Sequence, residues 1–404
     1  MANILFLVHR IPYPPNKGDK IRSWNMLKYL LGSHQVHLGC FVDDPADFEH
    51  VAFLAERCAS VKAIDLTGRA GKAGNLVRGL IQGEPLTVAW YHSAEMQDWV
   101  DGLMGSGNID CIVLFSSATA RFIVRHAEKV PVIMDFVDMD SDKWQQYANS
   151  KSFPLSLVYQ REAGKLLQYE KQICALSTAA LFVTDDEVAL FRSSVSPDMA
   201  EKIHAMHNGV DAVYFSPDHA FEPVAEMGTS GVCFTGAMDY WANEDAVVWF
   251  AENVWPKVLI AVPDAFFYIV GGKPGKMVQE LDGKQRIRVT GRVEDVRPYI
   301  AASALVVAPM RIARGVQNKV LEGMAMAKTV ITSSMGFEGI TARPAKDLII
   351  ADSADDYAAA VIEVLQEKRD TATMGERARQ LVLDAYSWDA NLAVLDRIIG
   401  GLND

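Results

Sequence analysis

Short apolar runs rich in β-branched residues alternate with stretches of helical period along the whole chain. In the first half NILFLVH, VHLGCFV, CIVLFS, VPVIMDF and AALFVT read as strands buried on both faces. In the second half GVCFTG, AFFYIVGG, IRVTG, ALVVAPM and KTVITSS repeat the theme. Between the strands lie helical segments such as KIRSWNMLKYLLG, whose Ile21, Trp24, Leu27 and Leu31 fall on one face. ANEDAVVWFAENVWPKVLI and DDYAAAVIEVLQEKR are further helices. Such alternation predicts parallel sheets with helices packed on both faces.

A chain of 404 residues is too long for one ordinary core, so two domains are expected. The seam falls in HNGVDAVYFSPDHAFEPVAEMGTSG, residues 207–231, which is rich in turn formers and poor in period. Two doubly wound, Rossmann-like α/β domains then face each other across a cleft, and ligands are expected at the carboxyl ends of their strands. The formal net charge of -12 excludes a nucleic-acid partner, since phosphate backbones select basic surfaces. Five scattered cysteines form no C-x-x-C pair, so neither disulfides nor zinc is expected. MANILFLVHR reads as a strand and not as a leader, and no window is apolar enough to cross a bilayer. The expected location is cytoplasmic, including peripheral contact with the cytoplasmic membrane.

The richest chemistry lies in RIARGVQNKVLEGMA, residues 311–325. Asn318 reads as the N-cap of a helix and Gly315 as the turn before it. Helix-start N–H groups and the helix dipole attract an anion, and Arg311, Arg314 and Lys319 add the charge that suits a diphosphate. Glu322, one turn in, either complements the dipole or accepts hydrogen bonds from vicinal hydroxyls such as a ribose offers. HRIPYPPNKGDKIRSWNML joins the first strand to its helix, with Gly18 open to a ligand and Asp19, Lys20 and Arg22 beside it. It is either a ligand loop or a plain βα turn. Asp138, Asp140 and Asp142 alternate after the strand that carries Asp135. They read either as one extended face, with D-x-D metal spacing, or as an acidic helix start. The histidines show no metal-ligand spacing, and VGGKPG is neither G-x-G-x-x-G nor a Walker A loop. GRAGKAGNLVRGLIQGEP carries Arg69, Lys72 and Arg78 among apolar residues, as a lipid-facing or an ordinary surface helix does.

These stretches resemble, in order, the retaining GT-B glycosyltransferases of family 4 (group 1). VLEGMA matches the second half of their E-x7-E segment, HNGVDAVYFSP their domain junction, and FTGAMDYWANEDAVVWF their first donor-domain turn. VTGRVEDVRPYIAASALVVAPM is similar to their base-binding stretch, and YSWDANLAVLDRII to their C-terminal helix. The wording IARGVQNKVLE, with DFVDMDSDKW upstream, is most similar to the sugar transferases associated with PEP-CTERM/exosortase exopolysaccharide systems.

The resemblance implies a GT-B fold. Residues 1–206 form the acceptor domain, 207–385 the donor domain, and 386–404 a helix crossing back. It places Glu322 on the nucleotide ribose, with Asn318, Gly315, Arg311, Val320, Gly236, Gly291 and Arg292 around the donor. Arg314 stands where the family has its sugar-binding glutamate. Ala237 to Asn243 offers no cation where relatives grip the diphosphate, so Arg311, Arg314 and Lys319 are expected to supply that charge, Arg314 and Lys319 catalytically. Gly18, Asp19, Lys20, Arg22 and Asp135 form the acceptor side. Asp138 takes the catalytic place of the family's histidine, orienting or deprotonating the acceptor hydroxyl.

The expected activity is transfer of a sugar from a nucleoside diphosphate sugar to an acceptor hydroxyl, in exopolysaccharide or other glycoconjugate synthesis. A nucleotide-sugar epimerase and a non-catalytic nucleotide-sugar-binding relative are the alternatives. The expected partners are the donor and a saccharide or lipid-linked acceptor, with no metal and no further cofactor.

Overall fold

The computed structural model describes residues 1–150, 152–224, 230–313 and 315–401, without the side chains of 69–73 and 150. The chain divides into two compact units, Met1–His207 with residues 392–401, and Asn208–Asn391. Each unit is one parallel sheet between helices.

The sheet of the first unit has seven strands. They are β1 (Asn3–Val8), β2 (Gln35–Val42), β3 (Ser60–Asp65), β4 (Cys111–Phe115), β5 (Val132–Val137), β6 (Ala179–Phe182) and β7 (Ile203–Ala205). Their spatial order is β3-β2-β1-β4-β5-β6-β7. The second unit has β8 (Gly231–Thr235), β9 (Phe266–Val270), β10 (Ile287–Gly291), β11 (Leu305–Ala308), β12 (Thr329–Thr332) and β13 (Ile349–Ile350). Their order is β10-β9-β8-β11-β12-β13. In both sheets the order reverses beside the first strand, between β1 and β4 and between β8 and β11. The helices before and after that point leave opposite faces, and a crevice opens at the carboxyl edge.

All ten strands expected from the apolar runs are present. β3, β7 and β13 were not foreseen, because they are edge or near-edge strands with weak apolar patterns: SVKAID, IHA and II. The long helix read from ANEDAVVWFAENVWPKVLI is continuous from 241 to 261, with a π turn at Phe250–Val254 between Trp241–Trp249 and Trp255–Ala261. Pro256 brings no N–H to the ladder there, and the wider turn absorbs the mismatch.

Helix Gly18–Leu31 is rotated from the face read in the sequence. Its buried side carries Arg22, Ser23, Met26, Leu27 and Leu30, while Ile21, Trp24 and Leu31 are half-buried. A buried arginine drives the rotation: Arg22 points into the unit, and Trp24 packs outside on Tyr13 with ring centroids 5.0 Å apart.

Candidate functional site

The second unit brings its chemistry together at the β8/β11 switch point. β11 ends at Ala308, and residues 309–317 lead into helix Asn318–Ala325. Gly315 in that loop has φ +64°, a left-handed turn that favours glycine. Arg314, beside it, lies outside the described residues. The N-cap position belongs to Gln317 and not, as expected, to Asn318, which is the first helical residue. The Gln317 amide turns back to donate to the Gly315 carbonyl at 3.1 Å, so neither side chain caps the helix. The Asn318 Oδ1 is buried and without a hydrogen-bond partner.

Lys319 is buried within the same turn. Its Nζ donates to the Gln317 Oε1 at 3.3 Å and lies 5.5 Å from the centroid of the Phe234 ring. Phe234 sits on β8, so the ammonium stands at the seam between β8 and the helix that follows β11. Burial pushes the Lys319 pKa down to about 8, although Glu322 opposes the fall. Burial likewise pushes the half-buried Glu322 up to about 7, against the pull of Lys319. Val320 does not face the site. Its side chain is wholly buried, in the core with Leu321 and Met324, because the helix presents only one face to the crevice.

Backbone from β8 and β9 closes in from the side. A Cβ on Gly271 would lie 1.7 Å from the Gly236 carbonyl oxygen, so only glycine fits. The Gly236 N–H donates to the Val270 carbonyl at 3.0 Å and the Met238 N–H to that of Gly272 at 3.0 Å, which zips the two strand ends beyond the sheet. Two polar atoms at this end, the Thr235 Oγ1 and the Asn243 Oδ1, are buried and unpaired. Each such atom costs free energy unless a water or a ligand group bonds it. Gly291 ends β10 with φ +68°, and Arg292 follows it. Arg311 is exposed and already held by Asp245, with Nη2–Oδ1 2.6 Å and Nε–Oδ2 2.9 Å. A cavity of about 210 Å³ opens next to it, lined by Trp249, Met310, Ser333, Asp352 and Tyr357 among others.

The first unit corrects several acceptor-side expectations. Lys20 and Arg22 reach no open space. Lys20 Nζ lies 2.6 Å from Asp47, and Arg22 grips the fully buried Asp135 through Nε at 2.7 Å and Nη2 at 3.1 Å. Charges this deep persist only when paired, which makes these residues structural. Gly18 begins its helix with open space where a Cβ would stand. Asp140 and Asp142 lie in the first turn of helix Asp140–Ser150, so the D-x-D alternation is an acidic helix start. Among the described residues no acidic, histidine or cysteine cluster could hold a metal.

Asp138 follows the left-handed Val137 (φ +69°), and the neighbouring strand β4 runs into Ser116 at φ +72°. For a β-branched residue that conformation is rare and costs about 1–3 kcal/mol. The turn is held by Glu187, whose carboxylate accepts from the Met139 N–H at 2.7 Å, and by Glu170, which accepts from the Ser141 N–H at 3.1 Å. Burial pushes the Glu170 pKa up to about 8. The Asp138 carboxylate faces Lys143 at 2.6 Å. Burial works to neutralise Lys143, but Asp140 and Asp138 outweigh it and keep it cationic.

One cluster was missed by sequence reading. His9, just past β1, stacks on Phe115 at 5.6 Å and directs its Nε2 to Asp19 at 3.3 Å, while its Nδ1 is buried without a partner. Arg10 also contacts Asp19, at 2.5 Å. Burial pushes the Asp19 carboxyl up, but His9 and Arg10 prevail and hold it well below the usual carboxylate range. Nothing in a ten-residue spacing across a proline loop announces such a contact.

Residues 229–367 match the family Glycosyl transferases group 1. No curated protein matches the chain. Among solved structures, the sucrose-phosphate synthase of Thermosynechococcus elongatus superposes with a TM-score of 0.72 at 16% identity, covering 100% of this chain and 99% of that one. HepE of Anabaena in complex with UDP and glucose gives 0.68 at 13%, over 99% of this chain and 100% of that one. WaaG, a glycosyltransferase involved in lipopolysaccharide biosynthesis, gives 0.64 at 14%, over 98% and 100%. Likeness at such identities establishes the GT-B fold, and the family match covers most of the second unit. With a Glycosyl transferases group 1 domain on a GT-B fold, the chain is a glycosyltransferase.

Proposed function

We propose that the enzyme is a retaining glycosyltransferase that moves a sugar from a nucleoside diphosphate donor to a saccharide or lipid-linked acceptor in exopolysaccharide or related glycoconjugate synthesis. The observation that supports this best is the start of helix Asn318–Ala325, where a buried lysine stands one turn from a half-buried glutamate. The helix start offers the N–H groups of Asn318 and Lys319, since that of Val320 already donates to the Gln317 carbonyl at 2.9 Å, and Lys319 adds a cation out of water, where electrostatics is strong. A diphosphate satisfies both. Glu322 then accepts from the ribose hydroxyls. The unpaired oxygens of Thr235 and Asn243 take donor hydroxyls or water at the same strand ends.

Transfer forms a bond between the acceptor oxygen and the anomeric carbon and breaks the bond from that carbon to the diphosphate oxygen. The acceptor proton passes to the leaving phosphate, whose developing charge Lys319 stabilises. No protein nucleophile is required, and attack on the leaving-group face retains configuration. Asp138, paired with Lys143 at 2.6 Å, orients the acceptor hydroxyl. The enzyme works at the inner face of a membrane, without a metal.

Uridine donors are the first to test, since HepE was solved with UDP and with UDP-glucose. The test is calorimetry with UDP, GDP, ADP and their sugars, followed by transfer assays with NMR of the product anomer. Tight binding of one nucleotide and a product of the donor's configuration are expected. An inverted product, or a new donor isomer without acceptor, would overturn the reading.

A further inference from the structure

The first unit carries apolar side chains where a water-facing surface has no use for them. Helices Asp140–Ser150 and Leu155–Leu176 follow each other as a hairpin. At its tip Phe153 is 77% exposed, and Leu155, Leu157 and Val158 are exposed with it. Below the tip Trp144, Tyr147 and Tyr159 form a ring cluster, with Trp144–Tyr159 centroids 5.2 Å apart and Trp144–Tyr147 5.9 Å. Helix Arg69–Gln82 adds a second stripe. Val77, Leu80 and Ile81 share one helical face and point outward, Ile81 being 81% exposed.

The two stripes adjoin. The chain just after helix Arg69–Gln82 is clamped to the hairpin, since Arg161 Nη2 donates to the Glu84 carbonyl at 3.2 Å. The Glu162 carboxylate accepts from the N–H groups of Leu86 and Thr87, both at 2.8 Å. Leu157 and Val158 precede that clamp by one helical turn, and Leu80 and Ile81 precede it by three or four residues.

The local charge opposes that of the whole chain. Residues 66–84 and 143–165 together carry seven Lys and Arg against two acids, in a protein of net charge -12; Lys143 is taken by Asp138 and Asp140 and Arg161 by the clamp, which leaves five. Both acids are occupied: Glu84 faces Arg121 at 3.6 Å, and Glu162 is buried in the clamp. A surplus of lysine and arginine in the stretches that carry an apolar tip, with tyrosine and tryptophan just beneath it, suits the headgroup layer of a bilayer. The rings sit at the interface and the cations meet lipid phosphates. A protein partner needs no such charge contrast. Among the described residues no helix is long and apolar enough to cross a membrane, so contact through this surface is peripheral.

We propose that the hairpin tip and the outer face of helix Arg69–Gln82 form one docking surface for an anionic phospholipid membrane. The inference deepens the reading of a membrane-side enzyme, yet it stands or falls on binding alone, independently of what sugar is transferred.

The test is flotation of the full chain with phosphatidylcholine vesicles, with or without phosphatidylglycerol, and intrinsic tryptophan fluorescence as a second readout. The protein should float with the anionic vesicles, stay behind with the zwitterionic ones, and be released by salt. Phe153→Ser with Leu157→Ser, and separately Ile81→Ser, should each lower the partition coefficient at least tenfold. Lys165→Glu, at a half-buried position, should weaken binding to anionic vesicles several-fold. Thermal melting should be unmoved in all of them, because every replaced side chain is exposed or half-buried. No flotation, equal binding to both vesicles, or variants that float like the parent would each overturn the proposal. So would a dimer by light scattering that the serine variants dissociate, since a second copy would then cover the surface.

Discussion

Arg22 and Asp135 form a two-pronged ion pair shut off from solvent, 2.7 and 3.1 Å across, with a third bond from Arg22 to the Met206 carbonyl at 2.7 Å. The pair ties helix Gly18–Leu31 to the end of β5 and to the chain leaving β7, so it holds the carboxyl edge of the first sheet in shape. Breaking one half leaves the other charge buried and alone. Arg22→Ala should cost about 3–5 kcal/mol of stability, as buried pairs do when one partner is removed. Urea unfolding followed by circular dichroism checks this. A midpoint like that of the parent would mean that the pair opens to water in solution.

The approach of Gly271 to Gly236 makes a second stability prediction. A Cβ on Gly271 would stand 1.7 Å from a backbone carbonyl, which cannot rotate away as a side chain can. Gly271→Ala must therefore spread the ends of β8 and β9 and loosen the Gly236 and Met238 hydrogen bonds beyond them. Overpacking of this kind costs about 1–3 kcal/mol. The loss should appear as a lower melting temperature together with weaker nucleotide binding. Gly18→Ala, with nothing within 4 Å of the new carbon, is the matched control and should melt like the parent.

The parallel sheets were legible because their central strands are continuous apolar runs such as NILFLV and CIVLF, which only burial on both faces explains. The candidate site of the second unit was legible from one segment, since glycine, cations and a glutamate in fixed order span one loop and one helical turn. The side-chain pairing in the first unit was not. Arg22 and Asp135 are 113 residues apart, and charge in a glycine loop looks the same whether it meets solvent or a buried partner. The contact of His9 with Asp19 depends on how the proline loop folds back, which no periodicity encodes. Asn318 was misplaced by one residue because Gln317, a poor capping residue, holds the N-cap position and turns its amide to the Gly315 carbonyl instead.

Glu322 carries a binding prediction. A carboxylate that accepts from ribose hydroxyls is worth about 1.5–3 kcal/mol, the range for bonds to a charged group. Glu322→Ala should weaken nucleoside diphosphate binding roughly 10- to 100-fold. The same variant should bind 2′,3′-dideoxy nucleotide about as well as the parent does, because the lost interaction belongs to those hydroxyls. Calorimetry with both ligands decides it. An equal loss for both would place the glutamate in structure and not on the ribose.

Lys319 and Glu322 together should set the pH dependence of the enzyme. In the proposed reaction the active form has the lysine charged on the diphosphate and the glutamate charged on the ribose. With Glu322 raised to about 7 and Lys319 lowered to about 8, kcat/KM should follow a narrow bell with limbs near those values. Bound diphosphate favours the ammonium, so the alkaline limb of kcat should lie higher than that of kcat/KM. Glu322→Gln should remove the acid limb. Lys319→Ala should lower kcat about 100-fold or more, the scale for deleting one stabilising donor at a developing charge.

Stability carries the complementary sign. Between the ordinary 4.5 and about 7 the folded protein holds a proton on Glu322 that the unfolded chain has lost, so this contribution falls as pH rises. Between about 8 and the ordinary 10.5 the folded protein has released the Lys319 proton that the unfolded chain keeps, so stability recovers as pH rises. Comparing the pH dependence of urea midpoints in the parent, Glu322→Gln and Lys319→Ala isolates the two contributions. The first variant should flatten the acid slope and the second the alkaline slope. Unchanged slopes, or a parent-like kcat in Lys319→Ala, would remove the pair from the donor site.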